Sequence, residues 1–145
     1  MPNATMTKFG YPNSVVAETE FWSIQLRAKQ PTLGSLVLIC KEEALAFSEI
    51  GEAAHADMRN AITGIEAMLK AFVAYERINY LMLMMVDPHV HFHVLPRYEG
   101  ERTHAGVAFP DAGWPGPPAL DAAVAPDDAA AQDMRSQLAG LWQAS

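Results

Sequence analysis

The segment His89–Leu95, with the sequence HVHFHVL, places a histidine at every second position of a strand-length stretch. Side chains of a β-strand alternate between its faces, so His89, His91 and His93 share one face, and neighbouring imidazoles lie about 6.6 Å apart. The apolar residues between them suit a core, whereas three imidazoles in contact cannot all be charged without repulsion. A solvent-facing strand usually mixes several polar residue types. The pattern therefore favours a strand with one face in the core and the other beside a cleft.

The residues around this strand indicate an α+β protein. Short strands are predicted at residues 14–18, 20–27 and 35–40, with a turn containing Pro31 and Gly34 before the third. Apolar residues then recur at helical spacing over residues 43–74, which predicts helical structure with a break at Gly51.

Two apolar strands close in sequence predict an antiparallel hairpin around the histidines. The first covers residues 77–86, and Asp87 and Pro88 form a tight corner before the histidine strand. Pro96 is expected to end the pairing. Residues 97–126 are rich in glycine and proline and are predicted as loop.

An alanine-rich tail from residue 127 to 144 is predicted to form a docked C-terminal helix. Its larger apolar residues would lie on one side; they are Met134, Leu138, Leu141 and Trp142.

Length and composition bound the classes of function. The 145 residues fit a single domain, with a core at about 14–110 and a loop and C-terminal helix at 111–145. Cys40 is the single cysteine, which excludes an internal disulfide and favours a reducing, cytoplasmic compartment. The net charge of −7 argues against a nucleic-acid polymer as partner. We find no signal peptide, and no apolar run is long enough to cross a bilayer, so no membrane partner is expected.

One interpretation of the histidine row is a metal site. Two imidazoles from His91 and His93 could bind one ion, with Glu99 as a carboxylate ligand and Gly106 completing a faint similarity to the cupin pattern. No cysteine or second carboxylate cluster supports such a site. A small metal-dependent protein is one alternative.

The other interpretation is nucleophilic catalysis on phosphorus. A neutral imidazole attacks activated phosphate esters and anhydrides, and water can cleave the resulting phosphoramidate. This chemistry needs one histidine with a free nitrogen, an acceptor for its other nitrogen, and donors around the phosphoryl oxygens. A row of three histidines can supply these groups from one rigid element.

The His89–Leu95 segment resembles the signature of the histidine triad superfamily, in which three histidines alternate with apolar residues. The stretch LRAKQPTLGSLVLICKEEALAF resembles the strand, glycine turn, strand and helix found upstream in that family, and the resemblance covers residues 21–98. It implies an α+β fold with a five-stranded antiparallel sheet and a homodimer that joins two sheets.

The resemblance also implies a function. Such proteins hydrolyse or transfer nucleotides at the α-phosphate of nucleoside phosphoramidates, dinucleoside polyphosphates or related esters, without a cofactor or metal in the covalent step. His91 is then the nucleophile that becomes nucleotidylated, His93 donates to phosphoryl oxygens or the leaving group, and His89 orients His91 through its carbonyl.

Two departures from the family pattern leave a second alternative open. Ser35 stands after Gly34, where many members have a fourth histidine, and Asp87 and Pro88 replace a Gly-Gln-Ser or Gly-Gln-Thr phosphate loop. Catalysis is then expected to be slow or tuned to an unusual substrate. The alternative is a degenerate member that binds nucleotides without turnover.

Five further residues are candidates for substrate binding. Arg27 and Gln30 match positions near ribose or phosphate in the family, and Asn79 is a polar residue in an apolar strand that needs a partner. Arg97 directly follows the histidine strand. The predicted substrate-binding set is Arg27, Gln30, Ser35, Asn79 and Arg97. Trp114 is predicted either to stack on a base or to pack against protein, and His55 and His104 are expected to lie outside the site.

Overall fold

Five antiparallel strands form the central sheet of the computed structural model, which describes residues 1–143. The strands are β1 (Val15–Glu18), β2 (Trp22–Leu26), β3 (Leu36–Cys40), β4 (Arg77–Leu81) and β5 (His91–Arg97). Their spatial order is β1-β2-β3-β5-β4. The predicted α+β class with a five-stranded antiparallel sheet is confirmed.

The first three strands lie where the apolar patterns predicted them. All residues of β2 and β3 are buried, because the sheet is covered on both faces. The two strands pair from Trp22 with Cys40 to Leu26 with Leu36. Gly34 has φ +92° at the turn before β3, a conformation that glycine adopts without steric cost.

The long helix α2 (Glu52–Val73) begins later than predicted. Gly51 is its N-cap, so the predicted break at this residue is confirmed. The preceding residues are not α-helical and contain one short 3₁₀ segment, Phe47–Glu49. The helical spacing of apolar residues therefore predicted a start of the helix that lies too far towards the N-terminus.

The predicted hairpin is antiparallel, as β4 pairs with β5, but its connection differs. β4 ends at Leu81 rather than at residue 86. Met84 has a positive φ of 53°, which turns the chain out of the sheet, and residues 82–90 form a loop instead of a tight corner at Asp87 and Pro88.

Pro96 does not end the pairing, because it lies opposite Ile78 in the β4–β5 ladder. β3 pairs with β5 only as far as Val94, so β5 has one neighbour at Pro96. The missing N–H group of proline is tolerated at such a position.

Three elements were not predicted as such. A short helix, α1 (Ala4–Lys8), is capped by the Asn3 side chain, which accepts from the N–H of Met6. A second hairpin, β6 (Glu101–His104) and β7 (Val107–Pro110), lies in the region predicted as loop. Each is too short for a periodic apolar signal.

The C-terminal helix α3 (Asp128–Leu141) is close to the prediction, with Asp127 as its N-cap. Met134 and Leu138 are buried and Trp142 is partly buried, whereas Leu141 is exposed, which corrects its predicted place on the packed side. Residue 144 of the predicted tail lies outside the described residues.

Helix α3 is held near α2 by a close contact between a glycine and an aromatic ring. A β-carbon at Gly64 would lie 2.3 Å from Cη2 of Trp142. The absence of a side chain at Gly64 therefore makes room for the indole.

The buried core extends beyond residues 14–110, because Met6, Met134 and Leu138 are buried as well. Within residues 1–143, no helix is long and apolar enough to span a membrane.

Candidate active site

The alternation of β5 separates its two faces as predicted. Val90 and Val94 are fully buried in the main apolar core, and Phe92 packs against it. On the other face, His91 and His93 lie opposite Ile39 and Val37 of β3, and their ring centroids are 5.3 Å apart. His89 precedes the strand. The histidines thus belong to the face opposite the main core.

The ring of His91 is fixed by a backbone carbonyl. Its Nδ1 lies 2.7 Å from the carbonyl oxygen of His89. A carbonyl only accepts, so this contact requires a proton on Nδ1. In the neutral ring, Nε2 then keeps its lone pair. This arrangement is the one that the resemblance implied for a nucleophilic histidine.

His93 has the opposite arrangement. The Nε–H group of Arg27 donates to Nδ1 of His93 over 3.4 Å, so in the neutral ring Nε2 carries the proton and is a donor. Burial, followed by the charges of Arg27 and His91, lowers the pKa of His93 to about 4, with Asp87 opposing the change. His93 is therefore neutral at pH 7.

His89 serves as a link between the N-terminus and the loop after β3. Its Nδ1 is 3.0 Å from Oγ1 of Thr5, and its Nε2 is 2.8 Å from Oε2 of Glu43. Both ring nitrogens are therefore occupied. His89 acts on His91 through its carbonyl, and its ring holds the surrounding chain in place.

Helix α1 covers the histidine face. The ring of Phe9 lies 5.9 Å from that of His91 and 6.0 Å from that of His93. Met6 packs with Val37 and Ile39 beneath it. His91 is consequently only 2% exposed and His93 only 9%. The cover therefore leaves little of either ring accessible to solvent.

An ion pair connects α1 to the loop that precedes the histidines. Nζ of Lys8 lies 2.9 Å from Oδ1 of Asp87. The Lys8 side chain is 53% exposed and that of Asp87 is 14% exposed. The ammonium of Lys8 thereby offsets part of the negative charge of Asp87 beside the histidine row.

A cavity of about 350 Å³ lies next to this site, within the usual size range of small-molecule sites. Phe9 belongs to its wall and also contacts His91 and His93, and it is the residue that links the cavity to the histidine row. Its lining combines apolar residues with a polar rim. The residues are Lys8, Phe9, Gly10, Asn13, Ser14, Leu26, Ala28, Ala131, Gln132 and Arg135.

Of the five predicted substrate-binding residues, Arg27 lies beside the histidine row. Gln30 and Ser35 stabilise the turn between β2 and β3 instead. Oε1 of Gln30 accepts from the N–H groups of Gly34 and Ser35, and the Ser35 hydroxyl donates to the carbonyl of Thr32. Both side chains are buried, which leaves them no free group for a ligand.

Asn79 and Arg97 belong to a buried cluster at the other end of β5. Arg97 forms two bonds to the carboxylate of Asp111, at 2.7 and 2.9 Å, and donates to Oδ1 of Asn79 and the carbonyl of Gly116. These contacts engage its guanidinium group. The cluster fastens the segment after β7 to the sheet, so we do not include Asn79 and Arg97 in the site.

The remaining candidates lie away from the row. His55 is exposed on α2 and stacks on Phe47, while His104 is buried with Nε2 3.1 Å from a carboxylate oxygen of Asp133. Trp114 is partly buried and does not line the cavity.

Sequence reasoning missed the residues that complete the site from α1 and α3. Thr5, Lys8, Phe9 and Arg135 are far from the histidines along the chain, and no pattern joins them. The one available signal was Asn3, a residue type favoured at helix N-caps, ahead of the short helix that carries Thr5 and Lys8.

No family model matches the chain, and no curated protein does. Solved structures match over nearly its whole length. A histidine triad protein from Sinorhizobium meliloti is 17% identical, with a TM-score of 0.75, 97% of this chain covered and 96% of that one. A hypothetical histidine triad nucleotide-binding protein from Sulfolobus tokodaii is 17% identical, with a TM-score of 0.67 and coverages of 94% and 87%.

A third match is a zinc-bound histidine triad family protein from Mycobacterium smegmatis, 17% identical, with a TM-score of 0.57 and coverages of 94% and 91%. These likenesses define the architecture. The chain has the histidine triad fold, and His89, His91 and His93 occupy its β5 region in the alternating pattern.

Proposed function

We propose that the chain is a nucleotide hydrolase or nucleotidyl transferase that acts at the α-phosphate through a covalent nucleotidyl-histidine intermediate on His91. The proposal rests chiefly on the 2.7 Å contact between Nδ1 of His91 and the carbonyl of His89, which leaves Nε2 with a lone pair. The substrate classes are nucleoside phosphoramidates, dinucleoside polyphosphates and related esters. The histidine triad fold and a neighbour described as nucleotide-binding support it.

The reaction would proceed in two displacements. Nε2 of His91 attacks the α-phosphorus, a P–N bond forms, and the bond to the leaving group breaks. Water, or another acceptor, then attacks the same phosphorus and releases His91 and the nucleotide. Nε2–H of His93 and the guanidinium of Arg27 supply donors to phosphoryl oxygens.

The leaving group determines which substrates should react fastest. Neutral His93 donates a hydrogen bond but has no readily lost proton, and the Ser35 hydroxyl is held by Thr32. An amine leaving group needs a proton, whereas a phosphate leaving group can depart as an anion. We therefore expect anhydrides such as dinucleoside polyphosphates to be hydrolysed faster than alkylamine phosphoramidates.

Nucleotide binding without turnover is the second candidate. It is favoured by the 2% exposure of His91 and by the buried Ser35, which occupies the position of a fourth histidine. A metal-dependent protein has less support. The guanidinium of Arg27 next to His93 opposes a cation, and the residues that are described bring together no group of three metal-binding side chains.

Steady-state hydrolysis by a His91→Ala variant tests the proposal. With a dinucleoside polyphosphate as substrate, we expect kcat to fall at least about a thousandfold, as for loss of a nucleophile. His55→Ala is the matched control, because His55 is exposed on α2. Thermal unfolding of both variants checks the fold. Full activity of folded His91→Ala protein would refute this mechanism.

A further inference from the structure

The Lys8–Asp87 ion pair is the feature of this site that the proposed mechanism does not use. It joins α1 to the loop at residues 82–90, on the covered side of the histidine row. Half of the lysine side chain is exposed, whereas most of the aspartate is buried. The position of the pair raises the question of what the lysine does when a nucleotide binds.

Both members of the pair lie close to where a phosphate would be attacked. Lys8 directly precedes Phe9, whose ring contacts His91 and His93, and it lines the cavity that Phe9 also lines. Asp87 is two residues before His89, and its charge acts on His93. Lys8 thus lines the cavity and pairs with a residue whose charge acts on His93.

We infer that Lys8 is a phosphate-binding residue for the reaction proposed above, and that Asp87 holds its ammonium group until the substrate's phosphate takes the place of the carboxylate. This inference rests on the proposed function of the site. A carboxylate oxygen and a phosphoryl oxygen are alike as charged acceptors, so one ammonium can pair with either. A phosphate carries more charge and accepts more hydrogen bonds than the carboxylate.

The exchange of Asp87 for the substrate's phosphate as the partner of Lys8 explains why an aspartate lies where it would otherwise repel the nucleotide. With Lys8 paired to it, the carboxylate contributes little net charge to the unliganded site. When the ammonium moves to the phosphate, Asp87 is left without this partner. Asp87 therefore weakens nucleotide binding and Lys8 strengthens it, and the two effects depend on each other.

The test is a double-mutant cycle on nucleotide affinity. Calorimetry would measure binding of adenosine 5′-monophosphate and of adenosine to the wild type, Lys8→Met, Asp87→Asn and the double variant. We expect Asp87→Asn to bind the monophosphate about threefold to fivefold more tightly, and Lys8→Met to bind it more weakly by a similar factor. Adenosine affinity should stay unchanged in all four proteins.

The double variant distinguishes two causes of tighter monophosphate binding by Asp87→Asn. One is release of the Lys8 ammonium, and the other is loss of the repulsion between Asp87 and the phosphate. Asp87→Asn removes a negative charge in either background, but it can release an ammonium only where Lys8 is present. We expect most of the gain to disappear in the Lys8→Met background. An equal gain in both backgrounds would overturn the inference, and so would an equal change in adenosine affinity.

A matched control comes from a second ion pair outside the site. Glu18 lies 3.2 Å from Nζ of Lys41, and Glu18→Gln makes the same change of net charge as Asp87→Asn. It should leave the affinity for the monophosphate unchanged. A gain of the same size in Glu18→Gln would mean that overall charge alone is responsible, which would also overturn the inference.

Failure of the inference can be told apart from failure of the proposed function. Coupled effects of Lys8 and Asp87 on binding, without hydrolysis by the wild type, support the inference and refute the hydrolase. Hydrolysis that depends on His91, with substrate binding insensitive to Lys8 and Asp87, supports the hydrolase and refutes the inference. If none of the four proteins binds the monophosphate, the inference is overturned.

Discussion

His91 and His93 are identical side chains two residues apart, yet their hydrogen-bond partners give them opposite protonation patterns. The carbonyl of His89 keeps a proton on Nδ1 of His91, and the guanidinium of Arg27 excludes one from Nδ1 of His93. One ring therefore offers a lone pair at Nε2 and the other offers a proton. The difference between the two rings follows from a carbonyl of the motif itself in one case and from Arg27, outside the motif, in the other.

The lowered pKa of His93 predicts a pH dependence of stability. Between pH 6.5 and about 4 the unfolded chain binds a proton at this position and the folded chain does not, so stability falls as the pH is lowered. At pH 4.5 the expected loss from His93 is about 2 kcal/mol. Denaturant unfolding of the wild type and of His93→Gln at pH 7.5 and at pH 4.5 checks this. The free energy of unfolding should fall less between the two pH values in His93→Gln than in the wild type, by that amount.

An NMR titration gives the direct check on His93. Its Hε1 resonance should move with a midpoint near pH 4. A midpoint close to 6.5 for His93 would contradict the described environment of the ring.

The sequence predicted which face of the strand the histidines share, but it did not predict the contacts of the polar residues near the motif. The period of a strand fixed which side chains share a face, and that inference needed no other part of the chain. Gln30, Ser35, Asn79 and Arg97 were chosen as polar residues near the motif. Their partners come from turns and loops distant in sequence, such as Asp111, and these tertiary contacts engage the side chains elsewhere.

At the scale of elements, the site depends on how α1 and α3 pack around the sheet. α1 covers the histidines, and α3 supplies one wall of the cavity through Ala131, Gln132 and Arg135. Arg135 donates to the carbonyl of Val15, which ties the helix to β1. α1 carries Lys8, and both helices contribute side chains to the wall of the cavity.

Gly64 should control the packing of α3 on α2. Gly64→Ala improves helix propensity by about 1 kcal/mol but forces the ring of Trp142 to move. We expect the substitution to destabilise the wild type and to stabilise a Trp142→Ala variant, as measured by denaturant unfolding. The same sign of effect in both backgrounds would show that the close contact is unimportant.

Element boundaries show where local pattern fails. The run after β4 has the apolar composition of a strand, but Met84 turns it out of the sheet and leaves Leu83, Met85 and Val86 exposed. Apolar composition alone does not distinguish a strand from an apolar loop. The strands β1 to β3 were predicted well because turns with Gly34 and short polar segments separate them.

At the scale of the whole molecule, β4 is an edge strand of the central sheet, and within residues 1–143 no strand pairs with its outer edge. The homodimer implied by the family resemblance would join two sheets, and this edge offers a place for it. The fold was predictable because a local motif and a strand pattern agree with one known architecture. The cavity could not be predicted from the sequence, because it is formed by residues from both ends of the chain.

The central claim is that Nε2 of His91 forms a bond to phosphorus, and rapid-quench mass spectrometry tests it most directly. The wild-type protein would be mixed with a dinucleoside polyphosphate, quenched within milliseconds in neutral denaturant, and digested. We predict a gain equal to one nucleotidyl group, located on His91 by fragmentation. Turnover with an unmodified His91 at every time point, or a modification on another residue, would contradict the account.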